Sequence, residues 1–318
     1  MMRKAWVAAV GAVVLSGAGG GAAQAQATQP SINGTLAYAE ETFDAPSVPQ
    51  LRTVDPFGTA QPASFGDENA CCGGPPAPAW SHDGTRIAFV RPTFGTDGGI
   101  TGPADIWTVD ADLGTLRQIT STPDVAEGEP SWSPDDRRLA YVAGGAIRVL
   151  DLATGASVRL SPDGVQDDEP AWSPAGDRIA FTRSEGSTTH VYVMDARPGA
   201  PATRLTSRTT QNAAPAWSPD ARRIAFASFG GPALQGIWVM RSSGRDAHRL
   251  TRELDFHPTF SPDGRRIAFS RPVTDPNLLF PDYLWRMTAT GAYQRRVLIG
   301  GEPVLGLTPD WGRNAAAG

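Results

Sequence analysis

Large apolar, small apolar and polar positions recur along this chain in one fixed order. An extended run ends in Trp, a polar Ser-Pro-Asp-Gly turn follows, and then comes a strand such as Arg178-Ile179-Ala180-Phe181-Thr182. Side chains alternate across a strand, so Ile179 and Phe181 share one face and Ala180 takes the other. Neither face is polar, which predicts a strand lying between two packed sheets. The bulky face fills the gap, and the Ala face lets the neighbouring sheet approach. A third strand follows at His190-Val191-Tyr192-Val193-Met194-Asp195, with equivalents around Trp107, Arg148, Trp238 and Trp285. A Gly-bearing turn then leads to a fourth strand closing on an aliphatic and a small polar residue: Ile119-Thr120, Leu160-Ser161, Leu205-Thr206 and Leu250-Thr251.

Copies of this unit centre on Trp80, Trp132, Trp172, Trp217 and Phe260, with a truncated copy at Trp311; the spacings are 52, 40, 45, 43 and 51 residues. Strand-built units at such a period predict a radial array. The ends complement each other. The segment 34–39 matches a second strand and 51–55 a third, whereas Trp311 has only a first strand before the chain nearly stops. The expected fold is therefore all-β. It is a six-bladed β-propeller of four-stranded antiparallel blades over residues 34–313, closed by one C-terminal strand joining three N-terminal strands.

The Trp-Ser-Pro-Asp-Gly-x-x-Ile-Ala-Phe phrase, the Val-Tyr-Val-Met-Asp phrase and the Leu-Thr ending resemble the TolB-like β-propeller repeat, a WD-repeat-like unit. The resemblance spans nearly all of residues 34–313. It is highly specific for the fold and far less specific for function. TolB itself carries an α/β domain ahead of its propeller, and only about nine residues separate Ala25 from the first strand here. A stand-alone propeller outside the Tol-Pal system is expected. Similar repeats occur in prolyl-oligopeptidase-type peptidases, but this sequence has no Gly-x-Ser-x-Gly elbow. They occur also in oligogalacturonate lyases, whose manganese site is rich in histidine. Of His82, His190, His248 and His257, only His257 falls where it should converge on the axis.

Composition places the protein rather than its chemistry. Arg3 and Lys4, the apolar run 6–15 and the Ala23-Gln24-Ala25 site predict a cleaved signal peptide over 1–25, with a linker at 26–33 and a disordered tail at 314–318. Glycines at 17–21 break the apolar run before it could span a bilayer, so no membrane span is expected. The protein should be periplasmic or secreted, and monomeric. The net charge of -5 argues against nucleic acid as a partner. Cys71 and Cys72 are adjacent; in an oxidising compartment they could form a vicinal disulfide, bridge to another molecule, or stay reduced.

Chemistry should gather where the loops converge on the axis. The residues just before each repeat's Pro are Ala77, Glu129, Glu169, Ala214, His257 and Thr308, with Asp167, Asp168, Asn212, Asp255 and Glu302 nearby. They predict a polar, mildly acidic channel mouth with Glu129, Glu169 and His257 as ligand-binding candidates. A divalent cation is conceivable on two carboxylates and an imidazole. No tight ligand spacing supports one, so no cofactor and no catalytic residue are assigned. Asp83-Gly84 and Asp263-Gly264 read as turns, since the calcium-loop series is missing. Trp107, Trp238 and Trp285 read as blade packing, and the Arg pairs 137–138, 222–223 and 265–266 as a solvated turn ring with buried stems. The loop 272–282 inserts Leu278, Leu279 and Phe280, a candidate partner surface. The functional expectation is a non-enzymatic exported scaffold binding a protein or other ligand. An axial hydrolase or lyase, with or without a metal, is the alternative.

Overall fold

A computed structural model describes residues 33–40, 50–57, 63–64, 77–94, 100–207, 211–272 and 282–313. The segment 1–25, expected as a signal peptide, Cys71, Cys72, Leu278, Leu279, Phe280 and the expected tail 314–318 lie outside the described residues, as does all of the expected linker but Asn33. Six four-stranded antiparallel sheets are present, and in five of them the strands are ordered as in sequence. The sixth joins the last strand, Leu307–Arg313, to Asn33–Glu40, Gln50–Val54 and Ala63–Ser64. Leu36 pairs with Trp311 and Ala37 with Asp310, so the two ends of the chain share one blade. Each first strand touches the first strands on both sides, which closes the ring.

The large-small alternation explains the packing. Six apolar clusters are present, one at each blade boundary. Ile179 and Phe181 pack with Trp172, Ala140 and Ile147 on one side of their blade. Ala180 packs on the other side with Trp217, Ile224 and Phe226 of the following blade. Ile179, Ala180 and Phe181 are all 0% exposed, so both faces of the strand are used.

Two recurring polar devices hold the blade edges. In the turn, the Ser133 hydroxyl accepts from the Arg138 amide at 2.9 Å and donates to Asp135 at 2.5 Å. Ser218 with Asp220 and Ser261 with Asp263 repeat the arrangement. The Asp-Gly pairs are thus turn residues. At the outer edge the fourth strands are shorter than the sequence suggested and stop before the aliphatic-polar pair. The small polar residue then stands in for the backbone. Ser161 accepts from the Ile147 amide at 2.9 Å and Thr251 from the Ile237 amide at 2.8 Å.

The Arg pairs are not simply a solvated ring. Arg137 and Arg222 are exposed, but Arg138 stacks on Trp172 of the next blade at 4.8 Å and Arg223 on Phe260 at 5.3 Å. Arg86 on Trp132 and Arg178 on Trp217 continue the series. Guanidinium over a ring face is attractive, here about 0.5–1 kcal/mol per contact at a partly exposed site. Trp238 and Trp285 stack on Phe226 and Phe269 of their own blades, as blade packing requires. Among the described residues no helix is long and apolar enough to cross a membrane.

Candidate functional site in the axial channel

The first strands line an axial cavity of about 270 Å³. At one end stand Ala77, Glu129, Glu169, Ala214, His257 and Thr308; at the other stand His82, Pro174, Pro219, Pro262 and Arg313. All six residues predicted for the mouth therefore converge. Ring order sets Glu129 three blades from His257 and Glu169 three blades from Thr308, so each pair faces across the axis.

A shared backbone feature aims them inward. All six have a left-handed conformation, with φ between 40° and 51°. None is Gly, and this geometry costs of order 1–3 kcal/mol at each such residue. Pairing with the second strand breaks register at the same place, for example between Gly128 and Ser131 and between Asp168 and Ala171. Such a bulge inserts one extra residue, and the following Pro needs no ladder partner there. The sequence predicts the positions but not the bulge. The recurring residue before Pro was its trace.

The two glutamates differ in their surroundings. Glu169 Oε2 accepts from Thr182 Oγ1 and from the Ala214 amide, both at 2.6 Å. It is a clasp between its own blade and the next. At the equivalent register Glu129 has Val142 where Glu169 has Thr182. Its carboxyl has no hydrogen-bond partner among the described residues. Both side chains keep some surface toward the lumen while protein surrounds them on every side. Burial first, then Glu169 and Asp168, pushes the Glu129 carboxyl up to about 8. Burial also raises Glu169, against the pull of its two donors. Burial pushes His257 down to about 4. At neutral pH the ring thus holds a largely protonated Glu129 and a neutral His257. His257 Nδ1 and Thr308 Oγ1 are buried without a hydrogen-bond partner.

Several residues expected near the mouth serve elsewhere. Asp167 and Asp255 do not line the cavity; each is fully buried against a bidentate Arg. Arg183 holds Asp167 at 2.6 and 2.8 Å, and Arg271 holds Asp255 at 2.5 and 2.9 Å. Asp168 is exposed, Asn212 is buried, and Glu302 lies on a separate small hairpin. His82 does line the channel, at the opposite end from His257, so His257 is not the only axial histidine. His190 and His248 stay off the axis, on the third and fourth strands of their blades. Asp310, unremarked in the sequence, accepts from the Trp80 amide at 2.7 Å and Thr259 Oγ1 at 3.0 Å, linking three blades. No group of three or more His, Cys, Asp or Glu arranged to hold a metal ion occurs among the described residues.

Comparison with known proteins agrees with this architecture. The TolB beta propeller domain family matches residues 129–278. TolB from Acinetobacter baumannii is 25% identical with a TM-score of 0.69, over 88% of this chain and 66% of that one. The chain thus spans just under two thirds of that protein's length. A chain of the nidogen/laminin complex is 9% identical with a TM-score of 0.64, over 87% of this chain and 98% of that one. An oligogalacturonate lyase in complex with manganese is 14% identical with a TM-score of 0.52, over 84% of this chain and 72% of that one. The last two share the fold alone. No curated protein matches the sequence.

Proposed function

The chain is a TolB-like β-propeller, and on that premise we propose that it is a non-enzymatic scaffold binding a protein or another envelope ligand at the glutamate-lined end of its channel. The carrying observation is the left-handed backbone shared by all six mouth residues. Strain repeated at every blade of a rigid ring holds side chains in the lumen rather than against the blades, and such strain clusters at ligand sites. Glu129, Thr308 and His257 then offer polar groups that the fold itself leaves unused. Export to a periplasm or beyond the cell follows from the pattern at 1–25. The irregular loop with Leu278, Leu279 and Phe280 adds a second candidate contact.

The test compares the immobilised protein with its Glu129→Gln/His257→Ala variant, each challenged with envelope extract. A species retained by the first and lost from the second is expected. Equal retention on both would remove the channel end from the reading. The alternative, an axial hydrolase or lyase, draws on Glu129 and His257 titrating far from their ordinary values inside a cavity. Its signature is turnover of an added ester or polyuronate that Glu129→Gln abolishes.

A further inference from the structure

The blade anchored by Phe260 sets two arginines face to face at a ladder position where its siblings do not, and without an ion-pair partner for either among the described residues. Its third and fourth strands, Asp282–Thr288 and Arg295–Arg296, set Arg286 directly opposite Arg295. At the same ladder position the other blades pair Thr108 with Arg117, Val149 with Val158, Val193 with Thr203, and Val239 with His248. Like charges directly opposite each other destabilise a sheet. At the next pair, Trp285 with Arg296 matches Tyr192 with Arg204 and Trp238 with Arg249, while another blade sets Arg148 opposite Arg159; there Asp163 pairs with Arg159 at 3.0 Å and Ser157 accepts from Arg148 at 3.0 Å, so the charges are relieved. The Arg286–Arg295 pair thus departs from the repeat at a cost to the fold.

Among the described residues neither arginine forms an ion pair, and Arg286 Nε is buried without a hydrogen-bond partner. Arg286 is half-buried and stacks on Phe57 of the closing blade at 5.0 Å, as does Arg266 from the other edge. Arg295 is exposed on the same face, Arg296 turns to the opposite face and stacks on Tyr283 at 4.7 Å, and the wall of the resulting pocket contains no acidic residue. The nearest carboxylates are Asp55, which attracts Arg286, and Asp263, which sits 3.8 Å from Arg266. Burial, then Arg266 and Arg295, pushes the Arg286 guanidinium down from its ordinary value. A single carboxylate is satisfied by one guanidinium fork; several converging forks suit the oxygens of a tetrahedral dianion.

We propose that this pocket, between the Phe260 blade and Phe57, binds a phosphate or sulfate group gripped by the facing pair Arg286 and Arg295. The site is separate from the channel and does not depend on the reading given for it. Two sources share this chemistry, a free oxyanion and a phosphomonoester lipid headgroup.

The test titrates the full chain with inorganic phosphate and inorganic sulfate at constant ionic strength, balanced with chloride, by calorimetry and melting temperature. In parallel it measures cosedimentation with phosphatidylcholine vesicles with or without phosphatidic acid. Saturable binding in at least one arm is expected, weakened tenfold or more by Arg286→Gln/Arg295→Gln and unchanged by Glu129→Gln. Binding to free ions identifies a soluble ligand; binding to phosphatidic acid vesicles alone identifies a headgroup. Arg286→Lys keeps the charge without the fork and should lie between wild type and the double variant. In chloride alone, Arg295→Gln should melt at or above the wild-type temperature, because a repelling pair has been removed. A lower melting temperature for Arg295→Gln overturns the proposal. So does wild-type binding no stronger than chloride, or binding that the double variant retains.

Discussion

One substitution in the repeat sets the chemistry of the channel. Glu129 and Glu169 occupy the same position in adjacent blades, yet Thr182 serves Glu169 where Val142 faces Glu129. Burial, then Glu169 and Asp168, carries Glu129 from 4.5 to about 8, with no donor to offset them. The titratable groups around it are Asp168, Glu169 and, across the axis, His257; no cationic side chain is among the groups that shift it. The folded state therefore binds this proton more tightly than the unfolded chain. Stability from this group is fully present below pH 4.5 and is lost as pH rises toward 8, by up to about 1.4 kcal/mol per pH unit. His257 acts on the acid side: its value lies below the ordinary 6.5, so its contribution is lost as pH falls from 6.5 toward 4. Urea denaturation of wild type and Glu129→Gln at pH 5, 6.5 and 8 isolates the first effect. The variant should gain on wild type at each step upward; parallel curves would show that Glu129 is ionised throughout.

At the scale of the strand, the bulge before each Pro matters more than the Trp that anchors the repeat. It turns one residue per blade into the channel and breaks the ladder there. Neighbouring first strands then need other ties, and side chains supply them. Ser131 accepts from the Trp172 amide at 2.9 Å, Glu169 from Ala214, and Asp310 from both Trp80 and Thr259. Asp310 carries the heaviest duty, because it joins the closing strand to the blades on either side. Replacing it with Ala leaves two donors buried without a partner. A loss of roughly 2–4 kcal/mol is expected in urea denaturation at pH 7, from two buried donors left without an acceptor. A loss below 0.5 kcal/mol would mean that water replaces the carboxylate. The fourth-strand pairs were visible in the sequence, but their use was not. The pattern predicts Leu160-Ser161 as the end of a strand, whereas Ser161 satisfies the third strand after the fourth has ended.

For the whole ring, stability rests on six boundaries between blades, and one of them depends on the chain's two ends meeting. Leu36, Tyr38 and Val54 pack with Trp311 and with Ala268 and Leu284 of the preceding blade. Truncation before Leu307 removes the strand Leu307–Arg313 and bares the edge of Asn33–Glu40. An unpaired edge of apolar strand recruits another chain. The truncated protein should elute as oligomer or aggregate in size-exclusion chromatography and lose its single unfolding transition. A monodisperse monomer with an unchanged midpoint would contradict closure by this strand.

The amino-acid pattern alone determined the architecture and the location of the channel mouth. Local alternation and a recurring turn are short-range properties, and six copies of them leave few ways to bury both faces of every second strand. It also determined which six residues face the axis, since each precedes a Pro at the same phase of the repeat. Tertiary structure decided what those residues can do. Whether a carboxylate is clasped or left unpaired depends on the residue opposite it across a register break and on the amide of the next blade, both distant in sequence. The same holds for Arg286 and Arg295. Each is unremarkable in its own strand, and only antiparallel pairing brings their charges together, beside an aromatic ring from the far end of the chain.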